Sequence, residues 1–273
     1  IIAGSGNDVI RVEGSVKTEL TLIGGDNLIT ADLGGLLDIK GGSGYDRVVL
    51  DNIASTDALQ LKDSAFIYKD RQISFNNELD TVEVTDSSSA TIMRSDTGYS
   101  WGATDLKLTA SGVLDVTDAE LIAPTGHFNI KAAGIKGVLN TTLAQFTLVN
   151  TGVGVNADVV IRETDSLVIL DGERGSKGGI YTANGGLIDI ELAGREALLD
   201  LQTGVIEAVG GGDIRLITDD ADFRAGTNSV RGTGNLLLRA QDTQQNYNIG
   251  GAGQSTYGRD FSVSGNSGAM ELG

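Results

Sequence analysis

Leu106-Lys107-Leu108, Phe128-Asn129-Ile130, Phe146-Thr147-Leu148, Leu167 to Leu170, Ile188-Asp189-Ile190, Ile214-Arg215-Leu216, Leu236-Leu237-Leu238 and Phe261-Ser262-Val263 decide the fold. Each is a short run with apolar residues at alternate positions, the pattern of a strand that buries one face. From Leu106 to Phe261 the run recurs in seven steps over 155 residues, a mean of about 22. Second and third apolar clusters fall between them, among them Val113-Leu114-Val116, Leu121-Ile122, Leu198-Leu199-Leu201 and Val205-Ile206. Several short strands per period, separated by Gly, Asn or Asp, predict a solenoid of three-sided coils. No segment has helical spacing long enough to cross back over a sheet, which argues against α/β architectures. A β-sandwich shares the short strands but draws on more proline and a more aromatic core. The expectation is an all-β fold, a right-handed parallel β-helix of roughly 20–22-residue coils.

Composition narrows the function classes. The chain has 39 Gly, 1 Pro and no Cys in 273 residues. Glycine in excess without proline is not collagen; it marks a backbone that turns often and tightly. Aromatics make up only 5% of the residues, so Val, Ile and Leu carry the core, as suits thin stacked layers. With 37 Asp+Glu against 20 Lys+Arg, the net charge of −17 makes nucleic acid and anionic membranes poor partners and cations the natural complement. No run of eighteen apolar residues occurs, so no membrane insertion of this segment is expected. The opening Ile1-Ile2-Ala3-Gly4 has neither an initiator Met nor a signal-peptide pattern and reads as an internal piece of something longer.

Three regions differ in texture along one solenoid. Residues 1–52 hold glycine/aspartate coils. Residues 53–104 are the least regular part, read as irregular coils with a loop, although Ile73-Ser74-Phe75 and Val82-Glu83-Val84 still alternate. Residues 105–273 carry the regular repeat.

The first region contains the motif with chemistry. Gly41-Gly42-Ser43-Gly44-Tyr45-Asp46-Arg47-Val48 matches the nonapeptide G-G-x-G-x-D-x-U-x, and Ala3-Gly4-Ser5-Gly6-Asn7-Asp8-Val9-Ile10 matches except at Ala3. A shortened cousin, Gly24-Gly25-Asp26-Asn27-Leu28-Ile29, lies between them. Glycine carbonyls and an aspartate together offer the oxygen ligands that calcium prefers. These stretches resemble the RTX-type calcium-binding repeat of exported bacterial proteins. That resemblance implies Asp8 and Asp46 as ligands, with the carbonyls of Gly4, Gly6, Gly42 and Gly44, and a calcium shared between turns one coil apart. The other reading is that these are glycine turns that keep their shape without an ion.

The last quarter, from Asp213 to Gly273, carries Asp213 to Thr218, then Ser229-Val230-Arg231-Gly232-Thr233-Gly234-Asn235-Leu236, then Ile249-Gly250-Gly251-Ala252-Gly253. This run resembles the β-helical segments of giant secreted adhesins of the filamentous-haemagglutinin type. The resemblance implies an extracellular or cell-surface location. It also implies a cell-surface or extracellular ligand, a glycan among the candidates, neighbouring solenoid domains of the same chain, and no catalytic residues.

The rival reading is a polysaccharide-binding or polysaccharide-cleaving β-helix. Its candidate carboxylates are Asp219, Asp220 and Asp222, and the group Glu163, Asp165 and Asp171 with Arg162; the simpler reading of the first group is a solvated turn. Tyr99 with Trp101 could stack on a sugar or plug a loop. His127, the only histidine, is expected in a surface or turn role, and no nucleophile elbow or phosphate loop occurs.

Overall fold

The computed structural model describes residues 1–241 and 270–272, apart from 15, 33, 54–57, 63, 69–70, 77, 87–89, 94–100, 102–103, 173–177 and 226–227; at 51–53, 90 and 270–272 only the backbone is described. The Phe261 run, the Ile249–Gly253 stretch and Tyr99 lie outside the described residues.

Strands dominate, and nearly all of them pair in parallel with the equivalent strand of the next coil. The chain is an all-β parallel solenoid. Its clearest statement is one inward ladder. Val12, Ala31, Leu50, Val84, Leu108, Ile130, Leu148, Ile180, Ile206 and Val230 are partners in turn, each on the coil above the last. The alternation does this work. In Asp105–Ala110 the residues Leu106, Leu108 and Ala110 are buried, while Asp105, Lys107 and Thr109 are only partly covered. A register slip of one residue would turn every apolar side chain outward, so the pattern fixes the stacking.

The coils change along the axis. Early coils have two strands each, with Thr18–Thr21, Leu36–Lys40 and Arg71–Phe75 forming a second face opposite Val9–Val12, Asn27–Ala31 and Asp46–Ile53. From Glu120 onward a third face develops, and Leu139, Ile161, Ile190, Leu216 and Leu238 stack along it. There the second face shrinks to tight glycine turns.

Ile188, Ile214 and Leu236 therefore stack on Val159 of the third face, whereas Leu106, Phe128 and Phe146 belong to the first. The regular spacing near 22 in the sequence merges two ladders. Along one ladder the steps are uneven: Leu148 pairs with Ile180, Ile180 with Ile206 and Ile206 with Val230.

The irregular region contains an antiparallel insertion. Leu59–Lys62, Ala65–Tyr68 and Arg71–Phe75 form a three-stranded meander on the second face, seated between the parallel strands Leu36–Lys40 and Ala90–Met93. Beneath it Trp101 packs against Phe66, Phe75 and Phe128 with ring centroids 5.6, 5.1 and 5.6 Å away. Trp101 is buried, a core plug and not a sugar platform. Four aromatic rings fill a bulge that branched aliphatic residues would leave loose.

Candidate functional site

Glycine builds the site first. Leu28 pairs with Val9 below and Arg47 above, so the coil step here is 19 residues and all three glycine turns stack in register. Gly6, Gly25 and Gly44 lie one above another. A Cβ on Gly44 (φ +111°) would sit 2.3 Å from the Gly25 carbonyl oxygen, and one on Gly25 (φ +85°) 2.4 Å from that of Gly6. No other residue type fits both the conformation and the spacing. Gly4 and Gly6 have open space around them.

On this stack sit two ladders of Asx side chains. In the inner one, Asn27 Oδ1 accepts the Asp8 N–H (3.0 Å), Asn27 Nδ2 donates to Asp46 Oδ1 (2.7 Å), and Asp80 Oδ2 accepts the Asp46 N–H (2.6 Å). In the outer one, Asn7 Oδ1 accepts the Asp26 N–H (2.9 Å) and Asp26 Oδ1 accepts the Tyr45 N–H (2.9 Å). The backbone bonds of the two ladders run in opposite directions along the axis. Each thereby satisfies turn amides that no strand partner reaches.

Asp46 is fully buried, and its second oxygen accepts the Gly42 N–H at 2.8 Å. Asp8 is half-buried, with Oδ2 covered and unpaired. Of the implied ligands, Gly42 thus offers Asp46 its N–H, and Asp46 points its carboxylate at an amide. Calcium takes six to eight oxygens at about 2.3–2.6 Å. The centre of the oxygen set at the middle turn is held by Asn27 Nδ2, which also lies 2.9 Å from Gly25 O and 3.4 Å from Gly24 O. While Asn27 stays in place, the residues at this turn do not fit the ion. Among the described residues, no three His, Cys, Asp or Glu side chains converge on one point a metal could take.

The carboxylates of the cleaving reading are spread over separate structural duties. Arg162 reaches up one coil to Asp189 (2.9 Å) and Glu191 (3.3 Å). Glu163 turns inward, is fully buried, and accepts the N–H groups of Thr164 (2.9 Å) and Leu143 (3.1 Å). Burial pushes its carboxyl up to about 7, against hydrogen bonds from Leu143, Asp165 and Thr164 that favour the anion. Asp165 receives no such burial, and Asp171 is exposed, its N–H donating to Thr203 Oγ1 at 2.9 Å.

Asp219 accepts the Glu196 N–H at 3.3 Å. Asp220 and Asp222 flank the buried Ala221 and so share the outer face, where burial, aided by Asp222, raises the Asp220 carboxyl above its ordinary value. Arg224 bridges Asp222 (3.2 Å) to Asp200. His127 ties two coils: its Nε2 lies 3.0 Å from Thr147 Oγ1, which itself donates to Leu170 O (2.9 Å). Burial lowers the His127 pKa, with Asp105 opposing. Gly212, Val230 and Leu236 line a small cleft with room for about one water.

Sequence reading missed Asn27, Asp80 and Asn150. The first was within reach, because Asp8, Asn27 and Asp46 recur at 19-residue intervals. The others are created by tertiary packing alone. Comparison with family models, with curated proteins and with solved structures returns no match for this chain.

Proposed function

We propose that this chain is a structural and adhesive rod segment of a large secreted or cell-surface protein. The observation that carries the reading is the way successive coils are tied on every side. Inside, one hydrophobic cluster runs from Ala3 to Leu238. Outside, ion pairs cross coil boundaries: Glu83 with Arg47 (2.7 Å) and Lys107 (3.8 Å), Arg162 and Arg215 with Asp189, and Arg231 with Glu207 (2.9 Å). Such a surface spends its charges on stacking and presents no convergent acid–base set among the described residues. A solenoid that contacts only its neighbours transmits load along its axis and displays its corner loops.

The test follows the chain on immobilised extracellular glycans and on host-cell surfaces, recording both retention and the release of new reducing or unsaturated ends. Retention without release supports the adhesive rod. Turnover of a polysaccharide overturns it in favour of a cleaving solenoid.

A further inference from the structure

Two corners of the solenoid share an unusual arrangement. Asn27 Nδ2 sits among Gly24 O (3.4 Å), Gly25 O (2.9 Å) and Asp46 Oδ1 (2.7 Å). Far along the axis, Asn150 Nδ2 sits among Asn156 O (2.9 Å), Ala157 O (2.9 Å) and Asp158 O (3.2 Å), while Asn150 Oδ1 accepts the Gly152 N–H at 2.8 Å. Both residues are buried: Asn27 is 2% exposed and Asn150 is fully covered. In each case a nitrogen with two hydrogens serves three oxygens. Three converging oxygens around one positive centre are the surroundings of a bound hard cation, here met by a neutral amide.

We infer that Asn27 and Asn150 are plugs that take the place of a cation at these corners, so that these two turns hold without calcium. The cages differ in origin. The first belongs to the glycine/aspartate turns; the second is built by the 3-10 turn Gly154–Asn156, where no such motif occurs. Their common solution therefore reflects the corner geometry and not one repeated motif. Exchanging either amide for a carboxylate turns a donor into an acceptor facing oxygens. Such a site needs a cation to hold it together.

The experiment melts the whole chain with millimolar calcium and with a chelator, for the wild type, Asn27→Asp and Asn150→Asp. The wild-type melting temperature is expected to be the same in both. Each variant melts lower in chelator and recovers by at least about 4 °C with calcium. Terbium luminescence sensitised by Tyr45 is expected to appear only in Asn27→Asp. A wild-type melting temperature that rises with calcium, and loses that rise in Asp46→Asn, overturns the inference, as does a folded Asn27→Asp variant indifferent to calcium. Should neither variant fold, side-chain amide exchange in the ¹⁵N-labelled wild type decides. Slow exchange at Asn27 and Asn150, unchanged by calcium, upholds the plugs; fast exchange overturns them.

Discussion

The Glu163 carboxylate accepts the backbone N–H of Leu143, a residue of the coil below, at 3.1 Å. A fully buried acid thus stands at a coil junction with its proton affinity raised to about 7, chiefly by burial. The folded value lies above the ordinary carboxylate value. The protonated fold is therefore favoured, and the contribution is complete below about pH 4.5 and lost as pH rises through 7. Melting curves of wild type and Glu163→Gln across this window should diverge, with wild type losing up to about 1.4 kcal/mol per pH unit relative to the variant. Parallel curves would remove Glu163 from the pH response.

Glycine positions separate into two kinds. A Cβ on Gly212 would lie 2.0 Å from the Gly186 carbonyl oxygen, and Gly186 stands in the same relation to Ala157. Gly212→Ala is expected to cost about 3 kcal/mol or more, because backbone must move apart across a coil. At Gly4, open space surrounds the same added methyl, and Gly4→Ala should stay within about 0.5 kcal/mol. Chemical denaturation of the pair checks both values.

Trp101 is the only tryptophan, so its fluorescence reports one site. Packed among Phe66, Phe75 and Phe128, it should emit at short wavelength and resist acrylamide quenching, with no response to oligosaccharides. Trp101→Ala should lose about 3–5 kcal/mol of stability. A red-shifted emission quenched by a sugar would return this residue to the ligand-platform reading.

Asp189 is held by two arginines, Arg162 from the coil below and Arg215 from the coil above. Its side chain is only 4% exposed, so removing both guanidinium groups leaves a buried charge without a counter-ion. Arg162→Ala and Arg215→Ala should each be mild, and the double variant should cost more than their sum by about 1 kcal/mol or more. Additive losses would show that one arginine dominates.

The fold was legible because alternation survives in nearly every coil: Leu106-Lys107-Leu108 reads the same way in the sequence and in the stack. The true coil step was harder to see. Ile188, Ile214 and Leu236 recur at convenient intervals after Phe146, yet they line a different face, and nothing in their local pattern distinguishes the two. The first turns show their step plainly through Asp8, Asn27 and Asp46. The glycine motif draws notice to the aspartates, whereas the three oxygens around the amide nitrogen of the asparagine between them meet only once the coils stack. Asn150 left no signal at all, since the three carbonyls around it meet only when the turn at Gly154–Asn156 closes.

Between the strands Leu36–Lys40 and Ala90–Met93 the second face holds three strands, while the first holds only Asp46–Ile53 between Asn27–Ala31 and Thr81–Asp86. At about 4.8 Å per strand, one side of the tube gains some 10 Å over the other within a single interval. The meander acts as a wedge driven into one wall, with four aromatic rings as its mortar. Two extra strands in one wall must either bow outward over those rings or tilt the coils beyond, and small-angle scattering of the chain with residues 59–70 deleted would tell which, since only a tilt changes where the far end points.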